Sequence, residues 1–99
     1  MTKDEARAAV QKIGAEAVAE ALRRGASHAR FTFVEMTGLE DPQPLDKPFW
    51  NFVVRKDGKT YQKGVQDSLG LPEFLPTIIE ACWDMPPFAE AQDPEAASD

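Results

Sequence analysis

The segment running from Phe49 to Gly64 (FWNFVVRKDGKTYQKG) constrains the fold more than any other part of the chain. Aromatic and β-branched residues crowd Phe49–Arg55, which makes it the strongest strand signal present. Lys56-Asp57-Gly58 is turn chemistry, and Lys59–Gly64 returns as a second strand. An isolated hairpin is at best marginal in water, so the remaining chain must supply more strand or a covering helix. His28–Met36 (HARFTFVEM) supplies a further strand.

The turn can close in two ways, and a one-residue slip moves every side chain to the opposite face. A three-residue loop opposes Arg55 with Lys59, Val54 with Thr60 and Val53 with Tyr61. Trp50, Phe52 and Val54 then face the core, while Asn51, Val53, Arg55, Lys59, Tyr61 and Lys63 share the outer face. A two-residue loop places Lys56, Lys59 and Lys63 on the side of Trp50 and Phe52, where burying charge is costly. The three-residue loop is therefore expected. On that register Trp50→Ala costs about 3–5 kcal/mol and Tyr61→Ala under about 1 kcal/mol.

Two helices complete the reading. Thr2 and Glu5 have capping-box spacing, so a helix is expected from Lys3 to about Arg24, with Gly25 just past its end. Its apolar residues form two stripes, Val10, Ile13, Ala17 and Ala21, then Ala15, Val18 and Leu22. The change falls at Gly14, which implies a bend or two covered faces. A second, shorter helix is expected from Pro76 to about Asp84, stopped by Pro86-Pro87. Its apolar stripe is Leu71, Leu75, Ile78, Ile79 and Cys82. Between the first two strands, Thr37–Pro48 (TGLEDPQPLDKP) reads as a long irregular connection. The resulting class is α+β in the order α-β-β-β-α, a three-stranded antiparallel sheet packed against both helices. With 99 residues one domain is expected, spanning 1–90, with a disordered acidic tail at 91–99.

The net charge of −6 is unevenly distributed, because residues 66–99 contain no Lys or Arg and eight carboxylates. Such asymmetry points to an acidic surface that meets a basic partner. Glu73, Thr77, Glu80 and Asp84 follow helical spacing, and Asp84 opposes the helix dipole without a compensating lysine. The long connection presents Leu39, Glu40, Asp41, Leu45 and Asp46, a mix of apolar anchors and carboxylates. These eight residues (Glu73, Glu80, Asp84, Leu39, Glu40, Asp41, Leu45 and Asp46) form the expected partner-binding set. The α-β-β-β-α order resembles double-stranded-RNA-binding domains in topology alone. The lysine cluster those domains carry at the start of the second helix is replaced here by Pro72, Glu73 and Pro76.

Enzyme chemistry has little to work with. Cys82 and His28 are the sole nucleophile and base candidates, and Cys82 falls on an apolar stripe. One cysteine and one histidine exclude a self-contained zinc site, and the prolines among Glu40, Asp41 and Asp46 do not fit a calcium loop. No cofactor, metal or catalytic residue is expected, and no glycine-rich phosphate loop is present. No segment is apolar enough to cross a membrane, and the charged N-terminus and single cysteine suggest a cytoplasmic setting. The leading expectation is a small non-enzymatic module binding a basic protein surface, an adaptor or an inhibitor similar in size and charge to phage-type inhibitors of nucleic-acid-handling machines. Two alternatives stand beside it. One is nucleic-acid binding through Arg55, Lys59, Tyr61 and Lys63. The other is a structural subunit self-associating through its sheet edge, so either a monomer or a homodimer is expected.

Overall fold

The computed structural model describes residues 2–86 and 88. The order is α1 (Lys3–Arg23), β1 (His28–Met36), β2 (Pro44–Lys56), β3 (Lys59–Gln66) and α2 (Leu71–Cys82). The strands form one antiparallel sheet in the order β1-β2-β3, and both helices pack on the same face of it. The α+β class and element order match the sequence expectation. The disordered tail expected at 91–99 lies outside the described residues.

Thr2 caps α1 as its spacing implied. Its hydroxyl accepts from the Glu5 N–H at 3.1 Å, and its own N–H donates to Glu5 Oε1 at 3.0 Å. Gly25 follows the C-cap Arg24 with φ of 99°, the left-handed conformation that ends helices at glycine. Gly14 neither bends nor breaks α1. It is buried, and the ring of Phe31 lies against it so closely that an added Cβ would fall 2.1 Å from Phe31 Cδ1. The position is glycine because a ring occupies the space of a side chain.

The hairpin register departs from expectation. Lys56 pairs with Lys59 across a two-residue loop, Val54 with Tyr61, and Phe52 with Lys63. Asp57 and Gly58 both have positive φ, 52° and 77°, as a type I′ turn requires. The rejected register is favoured because Lys56 is not stranded when buried. It is 7% exposed, its ammonium donates to the Arg24 carbonyl, and it lies 5.8 Å from the Phe88 ring centroid. A cation on the carbonyl end of a helix and over an aromatic face is offset for its lost hydration.

Two further boundaries shift. β2 begins at Pro44 rather than Phe49, which shortens the irregular connection to residues 37–43. The loop is closed by the Thr37 N–H donating to the Gln43 carbonyl at 2.8 Å and the Gln43 N–H to Thr37 Oγ1 at 3.0 Å. Leu45 and Asp46 accordingly sit in a strand, past a register shift between Val34 and Met36. Helix α2 begins at Leu71, with Pro72 in its first turn and Pro76 inside it. The proline is tolerated because burial of Leu71 and Leu75 holds the preceding turn in place.

The core lies between the sheet and the helices. Trp50, Phe52 and Val54 are buried against Val10, Ala17 and Ala21 of α1 and Leu71, Leu75, Ile79 and Cys82 of α2. Ile78, expected to join them, instead faces the side of the β3 strand. Tyr61, expected outside, is half-buried and packs edge-on against Phe52 and Phe88.

Two outcomes follow for stability. Gly14→Ala should destabilise by about 1–3 kcal/mol despite alanine's better helix propensity, because Phe31 is pinned by Trp50 and Phe52. Chemical denaturation checks the sign. Tyr61→Ala should cost about 2–4 kcal/mol, still less than Trp50→Ala, where the three-residue loop would have left it near neutral.

Candidate functional site

No side-chain arrangement in the described residues resembles a catalytic centre. His28 sits at the edge of the outer sheet face, opposite Arg55, whereas Cys82 is buried on the inner side. The sheet separates them. The Cys82 Sγ lies 2.7 Å from the Tyr61 hydroxyl and donates to the Ile78 carbonyl at 3.3 Å. Burial pushes the thiol above its ordinary pKa, against a smaller lowering by the Tyr61 hydrogen bond and Lys63. The Tyr61 hydroxyl is pushed up as well, by burial and then by the Cys82 contact. Among the described residues no group of three His, Cys, Asp or Glu could hold a metal ion, and no helix is long and apolar enough to cross a membrane.

The four residues expected to form a basic nucleic-acid face do not share one. Arg55 points outward with His28 and Thr60, while Lys59, Tyr61 and Lys63 lie on the helix-covered face. The two-residue turn causes the split, since it shifts β3 by one residue against β2.

The acidic candidates fall into two groups on separate parts of the fold. Leu39, Glu40 and Asp41 occupy the loop between β1 and β2, where Leu39 is 69% exposed. Asp46 is exposed and Leu45 half-buried on the part of β2 that reaches past the end of β3. Glu73 and Glu80 are exposed on α2, and Asp84 follows in the turn after it. No hydrogen bond or ion pair joins these groups among the described residues.

The structure joins Glu80 to residues that sequence spacing did not single out. Helices α1 and α2 pack side by side, leaving a groove of about 460 Å³. Ile13, Ala17, Pro76, Ile79 and Trp83 supply its apolar surface, and Glu16, Glu20 and Glu80 its carboxylates. Arg23 and Arg24 also line the groove, and both are engaged by Glu20. Arg23 donates to Oε1 at 2.8 and 3.0 Å, and Arg24 to Oε2 at 2.7 Å. Arg24 also stacks over Trp83, 4.7 Å from the ring centroid. The Arg23 guanidinium, then that of Arg24, holds the Glu20 carboxyl below its usual range. Glu16 and Glu80 make no hydrogen bond or ion pair with any described residue. Glu16 and Glu20 are four apart on α1 and off its buried stripe, which was legible. Their placement across from Glu80 was not.

A second network is structural. Asp67 accepts from Trp50 Nε1 at 3.0 Å and from Arg7 Nε at 3.1 Å, and Arg7 lies 4.7 Å from the Phe33 ring centroid. It ties the start of α1 to the end of β3 and consumes the charges involved.

No protein-family model, curated protein or solved structure matches this chain. Its function is therefore argued from the groove itself.

The burial of Cys82 has a kinetic signature. Alkylation by iodoacetamide at neutral pH should be far slower in the native protein than in urea, because the reactive thiolate is both scarce and covered. Equal rates measured by mass spectrometry would contradict the Tyr61–Cys82 packing.

Proposed function

We propose that this protein is a small non-enzymatic binding module that holds a basic segment of a partner protein along the α1–α2 groove. The observation that carries the reading is the pair Glu16 and Glu80, uncompensated carboxylates beside an apolar floor. An amphipathic segment with lysine or arginine flanking apolar residues matches both features. Glu73 and Asp84, on or just beyond the same helix, extend the negative field along the approach to the groove. The apolar floor supplies affinity that survives in salt, while the carboxylates supply orientation and a fast association rate. Such a module acts by occupying a surface, as an inhibitor or adaptor of a basic partner would.

The proposal is tested by fluorescence anisotropy with a labelled lysine-rich amphipathic peptide and its glutamate-rich counterpart. The basic peptide should bind, weaken with added salt, and lose at least about tenfold in affinity to Glu16→Lys/Glu80→Lys. Equal binding by the charge-reversed variant, or preference for the acidic peptide, would falsify the reading. Recovery of partners from lysate at low and high salt then identifies which basic protein is held.

A further inference from the structure

A different surface carries a second assignment, independent of the groove between the helices. We propose that the outer edge of β3, together with the apolar flank of α2 beside it, is the interface of a symmetric dimer whose other half is a second copy of this chain.

Strand β3 is hydrogen-bonded on one side alone, since the sheet order is β1-β2-β3. Its other edge presents the unpaired N–H and C=O groups that template strand addition. Beside it, Phe74, Ile78, Ala81 and Met85 recur along α2 and the turn after it at i, i+4, i+7 and i+11, one helical stripe. Phe74 is 62% and Met85 52% exposed. Between helix and strand runs a groove of about 510 Å³, lined on the strand side by Tyr61–Gln66. An open edge and a bare apolar stripe on the same flank constitute a patch of the kind that marks association surfaces. The opposite edge, β1, has α1 packed beside it and no such stripe.

The occupant follows from self-complementarity. Residues directly opposite in an antiparallel pair share a face, and the inward positions of β3 are Lys59, Tyr61, Lys63 and Val65. A two-fold axis at Lys63 would set that lysine against itself. An axis at Gln62 sets Lys63 against Tyr61 and Lys59 against Val65 of the second copy, and no lysine meets a lysine. It also engages almost the whole strand. The same axis turns the two α2 stripes toward each other over the new seam, so Phe74, Ile78 and Met85 find apolar neighbours. A lone extended peptide fills the strand position and brings no helix to cover that stripe. A second copy brings both, and the result is a continuous six-stranded sheet carrying four helices on one face.

Light scattering and sedimentation on the full chain test the assembly. The expected mass is twice the 11.0 kDa of the chain at high concentration, falling to the single-chain value in Ile78→Lys with an unchanged circular dichroism spectrum. Cysteine cross-linking tests the axis. Directly paired residues lie about 4.5–5.5 Å apart at Cα, within reach of a disulfide. Gln62→Cys should therefore oxidise to a covalent dimer. Thr60→Cys should not, since its two copies lie four residues out of register, about 13 Å apart. Cys82 is present in both variants, so its own chemistry cancels. A single-chain mass at the highest attainable concentration overturns the proposal. So does a dimer that survives Ile78→Lys, or one in which Thr60→Cys cross-links as readily as Gln62→Cys.

Discussion

The ammonium group of Lys56 on the carbonyl of Arg24 is the contact on which the rest of the arrangement depends. A lysine at the end of a central strand, on the covered face, is a liability unless something meets it. Here the negative end of α1 meets it, and the Phe88 ring lies beside it. With Lys56 satisfied inside, the Asp57-Gly58 pair can turn in two residues, and that turn sets the facing of every residue in β3. Tyr61 goes inward to Cys82, Lys59 and Lys63 turn to the helix side, and Arg55 is left outside with His28. One capped carbonyl thus distributes the charges of the whole hairpin.

Aromatic contact does most of the remaining positioning. Phe31 lies between Gly14 and Trp50, Phe33 sits at 4.6 Å between ring centroids from Trp50, and Trp83 packs edge-on against Phe52 and Phe88. Large rings bury much area for little lost side-chain freedom, which suits a domain with a small core. Asp67 fixes one end of this arrangement by holding both the Trp50 indole and the Arg7 guanidinium. Helix packing close to the sheet is then possible only because Gly14, Ala17 and Ala21 keep the α1 contact face thin.

Helix α2 explains why its composition looked unusual as sequence. One flank, Leu71, Leu75, Ile79 and Cys82, is core. A second, with Pro76, Glu80 and Trp83, forms a wall of the groove against α1, and a third, with Ile78, Ala81 and Met85, faces the edge of β3. A short helix that is apolar around most of its circumference, with carboxylates confined to what remains, has more than one neighbour to satisfy. Core burial accounts for the first flank. The proposed basic segment and the proposed second copy account for the other two.

The class, the element order, the capping box at Thr2 and the burial of Trp50, Phe52 and Val54 were all determined by the sequence itself. These depend on local chemistry: side-chain periodicity, turn residues and caps act over a few positions and need no partner elsewhere in the chain. The reason for Gly14, the register of the hairpin, the start of α2 at Leu71 and the meeting of Glu16 with Glu80 were decided by tertiary structure. Each depends on a residue far away in the chain, Phe31 for Gly14 and Arg24 for Lys56, or on the packing of one helix against another. Local rules priced Lys56 as an unpaired charge and so chose the wrong turn. A lysine's cost of burial is set by what it finds on arrival, and a helix end supplied by another part of the chain is invisible to any pattern read along the strand.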